Sequence, residues 1–163
     1  MNKFSARDIT LVAVFAALNV VAAMLVRYGG GIVPFSLMPF MAMLAGGLLG
    51  ARLGAMSIVV YILLGLAGVP VFAAPPFGGP AYVLQPTFGF LPGFAGCALV
   101  IGLLLKNRKQ GGFAAYFLAM AAGVAVYYLI GLPYLYVILT FYLGQTISVG
   151  QLLAIGFTPF VVL

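Results

Sequence analysis

Few side chains in this sequence can give or take a proton, bind a metal or attack a substrate. The 163 residues include no His, no Glu, one Asp (Asp8) and one Cys (Cys97). Metal cages, Ser-His-Asp triads, Cys-His pairs and carboxylate dyads all lack their parts. Cys97 has no partner for an intrachain disulfide. A phosphate-cradling G-x-x-x-x-G-K-[ST] loop is absent, and no Asp, Glu or His stands inside the long apolar runs to relay a proton. Sodium coupling through backbone carbonyls stays open. Among the neutral hydrogen-bonding groups that remain, Asn19, Tyr61, Tyr82, Gln85, Thr87, Tyr127, Tyr128 and Gln145 stand out, beside one isolated cation, Arg27. Such a set can bind a ligand, but it offers no general base to an enzyme.

Position sorts these groups. Gln85-Pro86-Thr87 follows a long Gly/Pro stretch and opens an apolar run, so its side chains and the free N–H groups of a helix start should converge on one point. Proline is tolerated at that early helical position. A helix start of this kind accepts a carbonyl or a carboxylate. A lone Tyr near a membrane surface is ordinarily an interfacial belt residue. Asn19 falls mid-helix, where an interhelical hydrogen bond is the plain expectation. Arg27 either snorkels from a helix end or attracts an anionic substrate. Ala13 and Ala17 lie four apart, as do Gly46, Gly50 and Gly54, and Gly89 and Gly93. Small residues at this spacing let helices approach closely in lipid. The glycines suit packing within a bundle, and the Ala pair suits either that or docking of another protein.

The elements that hold these residues belong in lipid. Apolar residues make up 66% of the chain and charged ones 5%, against roughly 25% charged in soluble domains. No charge occurs from position 53 to 105 or from 110 to 163. A span needs about 20 apolar residues, and alternating strand patterns are missing, which argues against a β-barrel. The expected architecture is an all-α integral membrane protein, one domain over residues 1–163. Helices are expected at about 9–26, 36–51, 53–69, 88–105, 113–131 and 148–163, to within a few residues. Breakers stand at 29–34 (GGGIVP), 70–80 (PVFAAPPFGGP), 106–112 (KNRKQGG) and 132–133 (LP).

Charge orients the bundle. With the N-terminus in the cytoplasm, Lys3, Arg7, Arg52, Lys106, Arg108 and Lys109 lie inside and Arg27 alone outside. The net charge of +6 is thus mostly a topology signal and gives no nucleic-acid face. The first apolar run reaches Arg27 without a clear cleavage site and is expected to stay as a helix. Segments 27–39, 70–87 and 132–144 then face outward, and a binding site should form there. With no energy source of its own, such a protein would need a partner that supplies one. The last run, 148–163, would make only about 24 Å of helix against a hydrocarbon core of about 30 Å. It also carries no basic anchor, so the natural chain is expected to continue.

The stretch GLAGVPVFAAPPFGGPAYVLQPTFGFLPGF at 65–94 resembles the signature loop of the BioY family, the biotin-binding S-components of energy-coupling factor (ECF) transporters. Its carriers are Gly65, Gly68, Pro70-Val71-Phe72, Gly78-Gly79, Pro86-Thr87, Gly89-Phe90 and Gly93-Phe94. FAALNVV at 15–21, VPFSLMPF at 33–40 with the run that follows, and YYLIGLPYLY at 127–136 agree. The resemblance implies a six-helix transmembrane bundle of the S-component type. It implies capture of biotin from outside for transport, without a cofactor or a metal. Its partners would be a scaffold transmembrane subunit, docked on Ala13 and Ala17, and two ATP-binding cassette ATPases.

Biotin's fused rings suit aromatic walls, its ureido group neutral donors and acceptors, and its carboxylate donors or positive charge. Phe35, Phe72, Tyr82 and Phe90 are expected as walls and Gln85, Thr87 and Tyr128 as hydrogen-bonding groups, with Gly78 and Gly79 also expected among the substrate-binding residues. Two departures stand out. The family often has Pro-Phe-Thr-Leu-Gln in the first outer loop, where this chain has Pro34-Phe35-Ser36-Leu37-Met38. It also carries an Asp and a Lys three residues apart in the last helix, and this sequence stops at Leu163 before such a pair. An S-component for a related vitamin such as lipoate, and a structural membrane subunit, remain as alternatives.

Overall fold

The computed structural model describes residues 4–29, 36–106 and 112–161, with side chains as far as 156 except that of Val149. It is helical, with no strand among the described residues. Helix α1 spans Ala6–Tyr28, α2 Met38–Leu66, α3 Phe90–Leu105, α4 Phe113–Val137 and α5 Val149–Val161. Four helical stretches, from Ala6, Met38, Pro86 and Phe113, are long and apolar enough to cross a membrane.

Helix α1 begins three residues earlier than expected. Ser5 caps it: its hydroxyl accepts from the Asp8 N–H at 3.2 Å, and the Asp8 carboxylate accepts from the Ser5 N–H at 3.0 Å. This reciprocal box satisfies two backbone donors that a helix start leaves free.

Helix α2 is broken in the middle. Gly50 sits at φ 80°, ψ 178°, a conformation open in practice only to glycine. A methyl built on Gly54 would stand 2.7 Å from the Ala45 carbonyl oxygen, although nine residues of straight helix would separate the two by about 13 Å. The chain therefore turns back on itself at Gly50, and 38–49 lies against 51–66. Two expected helices, 36–51 and 53–69, correspond to these halves.

Helix α3 wedges into the same turn. A methyl on Gly46 would meet the Ala98 carbonyl oxygen at 2.5 Å, and one on Gly102 would meet the Ala51 nitrogen at 2.0 Å. Gly46 and Gly54 thus serve packing inside the bundle, whereas Gly50 serves the turn. Lipid tails give helices no hydrophobic reason to associate, so close backbone contact supplies the attraction.

Helix α4 corrects an expectation. It was to end near 131, with 132–144 irregular. Instead it runs through Pro133 to Val137 and continues as a π-helical turn, Ile138–Tyr142. Proline leaves the Leu129 carbonyl without its usual helical donor. Neighbouring packing holds the segment straight enough to go on: Leu135 and Leu139 are buried, and the Tyr134 hydroxyl donates to the Val83 carbonyl.

Among the described residues, Arg52 packs at the start of the chain and Lys106 beside the turn of α2. The Arg52 guanidinium lies 4.2 Å over the Phe4 ring, and Lys106 shares a groove with Gly50 and Gly102. Arg27 and the 70–80 loop sit at the opposite end of α1.

Candidate functional site

The loop after α2 folds tightly because small residues let it. The Gly79 N–H donates to the Gly65 carbonyl at 2.7 Å, the Phe72 N–H to the Phe77 carbonyl at 2.8 Å, and the Phe77 N–H to the Ala74 carbonyl at 2.8 Å. Gly79 has φ 94°, and a methyl on Gly78 would press to 2.5 Å from the Val69 carbonyl oxygen. Gly78 and Gly79 therefore shape the loop. Phe72, 1% exposed, is driven against Gly65, where a methyl would stand 2.1 Å from its ring.

Beneath this loop lies a cavity of about 270 Å³. Ala23 and Val26 of α1 form one wall, Met38 and Tyr61 of α2 another, and Ala73 and Ala74 of the loop a third. Tyr82, Thr87, Phe90, Leu91 and Phe94 complete the aromatic side, and Ser36 and Ile155 touch the edge. Met38 and Tyr61 can share it only because Gly50 reverses α2 between them. Among the described residues the lining is apolar except for Ser36, Tyr61, Tyr82 and Thr87, each of which carries a hydroxyl.

The aromatic groups brace one another. Phe72 stacks on Tyr82 with centroids 4.0 Å apart, and Tyr61 meets Phe72 edge-on at 5.6 Å. Phe90 meets Tyr128 edge-on at 6.1 Å, and Tyr127 packs on Tyr128 at 4.4 Å. Such contacts fix ring orientation beyond what burial alone gives. The Tyr61 hydroxyl donates to the Val71 carbonyl at 3.3 Å. Burial pushes the Tyr82 phenol above its usual range, and a backbone hydrogen bond at Ala74 pulls the other way.

The expected site residues separate into distinct places. Tyr82, Thr87 and Phe90 line the cavity. Phe72 backs Tyr82 and Tyr128 backs Phe90, one layer behind the lining. Gln85 turns to the loop, its amide donating to the Pro75 carbonyl. Gln85-Pro86-Thr87 opens a short 3-10 turn, Pro86–Gly89, before α3 begins. Phe35 lies outside the described residues. Sequence inspection did not name Ala23, Val26, Met38, Phe94 and Ile155 as lining residues; Met38 and Phe94 carried a signal, as parts of the quoted 33–40 and 65–94 stretches.

Asn19, 1% exposed, donates from its amide to the Phe15 carbonyl at 2.8 Å. It bonds its own helix, where an interhelical bond was expected. Ala13 and Ala17 are exposed on the outer face of α1. Ala13 borders a shallow apolar groove with Ile9, Val12, Met56 and Val60. Arg27 leans across the loop: its guanidinium stands 3.6 Å over the Phe77 ring and donates to the Pro70 carbonyl at 3.3 Å. Among the described residues no three His, Cys, Asp or Glu gather as a metal site.

Known proteins are similar to this chain over nearly its whole length. The probable biotin transporter BioY of Lysinibacillus sphaericus is 40% identical over 162 residues, covering 99% of this chain and 81% of that relative. The biotin transporter BioY of Thermotoga maritima is 38% identical, covering 95% of this chain and 85% of that one. The crystal structure of the S-component for biotin from an ECF-type ABC transporter superposes with a TM-score of 0.74 at 24% identity, over 96% of this chain and 85% of the other, and shows the common fold. The BioY family model matches residues 1–163. The match over the whole chain and the identity to these relatives show that the chain belongs to the BioY family.

Proposed function

We propose that this protein is the biotin-binding membrane subunit of an ECF-type uptake system, a binding protein and not an enzyme. The observation that carries the reading is the cavity beneath the 70–80 loop, with braced aromatic walls and four neutral hydroxyls. A fused-ring, weakly polar vitamin fits such a lining, because the rings gain apolar contact and a ureido group finds neutral partners. The relatives' names support biotin in particular. Tyr82, Thr87 and Phe90 act as direct contacts in this reading; Phe72 and Tyr128 hold the walls; Gly78 and Gly79 set the loop above.

The chain would cross the membrane six times, counting the halves of α2 separately and α5 as the last. Its N-terminus would lie in the cytoplasm of a prokaryotic cell, with the cavity opening outward. The Ala13 and Ala17 face, exposed and flanked by an apolar groove, would receive the scaffold subunit, which couples to two ATPases. Calorimetric titration of the purified protein with biotin and with lipoate tests the core of this reading. Tight binding of biotin and weak or no binding of lipoate is expected. Preference for lipoate, or no heat with either on folded protein, would overturn it.

A further inference from the structure

We propose that Gly131, which lies outside the cavity lining, decides how wide a ligand the cavity accepts: with no side chain there, the Phe90 ring lies back against α4 and leaves the space in front of it open. Gly131 is then a positioning residue that acts through Phe90. The proposal rests on the biotin reading above and adds what sets the width of its site.

The contact behind the ring is the first reason. Gly131 is buried on α4, and Phe90, 2% exposed, opens α3. A methyl built on Gly131 would overlap the Phe90 ring, with Cε1 at 2.5 Å and Cγ at 2.7 Å. Ordinary carbon contacts stand about 3.5–4.0 Å apart, so the ring would have to move by about 1 Å. Glycine weakens the middle of a helix relative to alanine, so its place here answers to packing and not to helix formation.

The direction of that move is the second reason. Tyr127 and Tyr128, both on α4, meet the Phe90 ring edge-on at 6.4 and 6.1 Å, so the α4 side of the ring is filled. Among the described residues, the cavity takes no lining from α4 but does take Phe90 itself. A ring pushed off α4 therefore moves toward the cavity. Little slack is there to absorb it. The volume of about 270 Å³ lies below the roughly 300–1,000 Å³ usual for ligand pockets. The Tyr82 wall is backed in its turn, since Phe72 stacks on it at 4.0 Å and is itself pressed on Gly65. A methyl behind Phe90 would thus be accommodated at the expense of the ligand's room.

Calorimetric titration in nanodiscs tests this, with biotin and with desthiobiotin, which lacks the sulfur-closed second ring and is the slimmer ligand. The proteins are wild type, Gly131→Ala, Phe90→Leu and the double variant. Gly131→Ala should weaken biotin binding by about tenfold or more, the scale of overpacking, and desthiobiotin binding by about twofold at most. In the Phe90→Leu background, where the ring is gone, adding Gly131→Ala should change biotin affinity by about twofold at most, because the two positions are coupled. Equal losses for both ligands would make Gly131 a packing position only and overturn the proposal. So would no loss for either, or a biotin loss that persists in the Phe90→Leu background. If Gly131→Ala does not fold, the double variant decides: biotin affinity equal to that of Phe90→Leu supports the path through the ring, and a further loss of about tenfold overturns it. Binding of neither ligand by wild type would remove the biotin reading itself, a result separable from the others.

Discussion

Thr87 and Gln85 stand two residues apart and serve different ends. Thr87 lines the cavity, whereas Gln85 ties the loop through Pro75. Thr87→Val should weaken biotin binding by about 1–3 kcal/mol, the cost of an unpaired polar group on a buried ligand. Calorimetry on folded variant protein checks it, and an unchanged affinity would move the ureido partner elsewhere. Gln85→Ala should instead loosen the loop, seen as faster proteolysis within 70–80. Glycines separate in the same way. Gly102→Val should lower the melting temperature through a clash with Ala51, an overpacking penalty of about 1–3 kcal/mol. Gly50→Ala meets nothing within 4 Å, so its cost should come from backbone strain alone, again about 1–3 kcal/mol.

Helix α4 carries the clearest prediction for an element. The helix continues past Pro133, so Pro133→Ala should return a backbone donor toward the Leu129 carbonyl without forcing a new path. Its melting temperature should equal or exceed that of wild type in a thermal scan. A marked fall would mean that the missing N–H, or a bend at Pro133, is needed for the packing of Gly131 on Phe90. Boundaries of α1 were open to sequence inspection, since Ser5-x-x-Asp8 is a capping pattern. Persistence of α4 was not, because a Leu-Pro pair looks like a stop unless the buried neighbours of Leu135 and Leu139 are known.

Topology and assembly belong to the whole molecule. The six-to-one bias of basic residues predicts that a cysteine at Lys106 labels only from inside and one at Pro76 from outside, in a Cys97→Ala background. Outside labelling at position 106 in intact cells would reverse the orientation. Ala13→Leu or Ala17→Leu should impair co-purification with a scaffold subunit while biotin binding stays near wild type, since both positions are exposed. Loss of ligand binding together with assembly would place that face inside the functional bundle.

Transfer of apolar side chains into lipid is a local property, additive along about 20 residues, and it made the helical segments readable from composition and breakers alone. Absence of His, Glu and paired Cys likewise ruled out whole classes of chemistry without any fold. The ordered loop at 65–94 was legible as a signature because its glycines and prolines impose one backbone path. The break of α2 near Gly50 was already expected from the helices at 36–51 and 53–69, whereas the passage of α4 through Pro133, the assignment of Gln85 to the loop and the turning of Asn19 to its own helix were decided by tertiary structure. Close packing of the bundle depends on atoms brought together from separate positions, such as Ala45 against Gly54 or Ala51 against Gly102. A local pattern names the group that can bond or pack, and only the folded bundle supplies the group it meets.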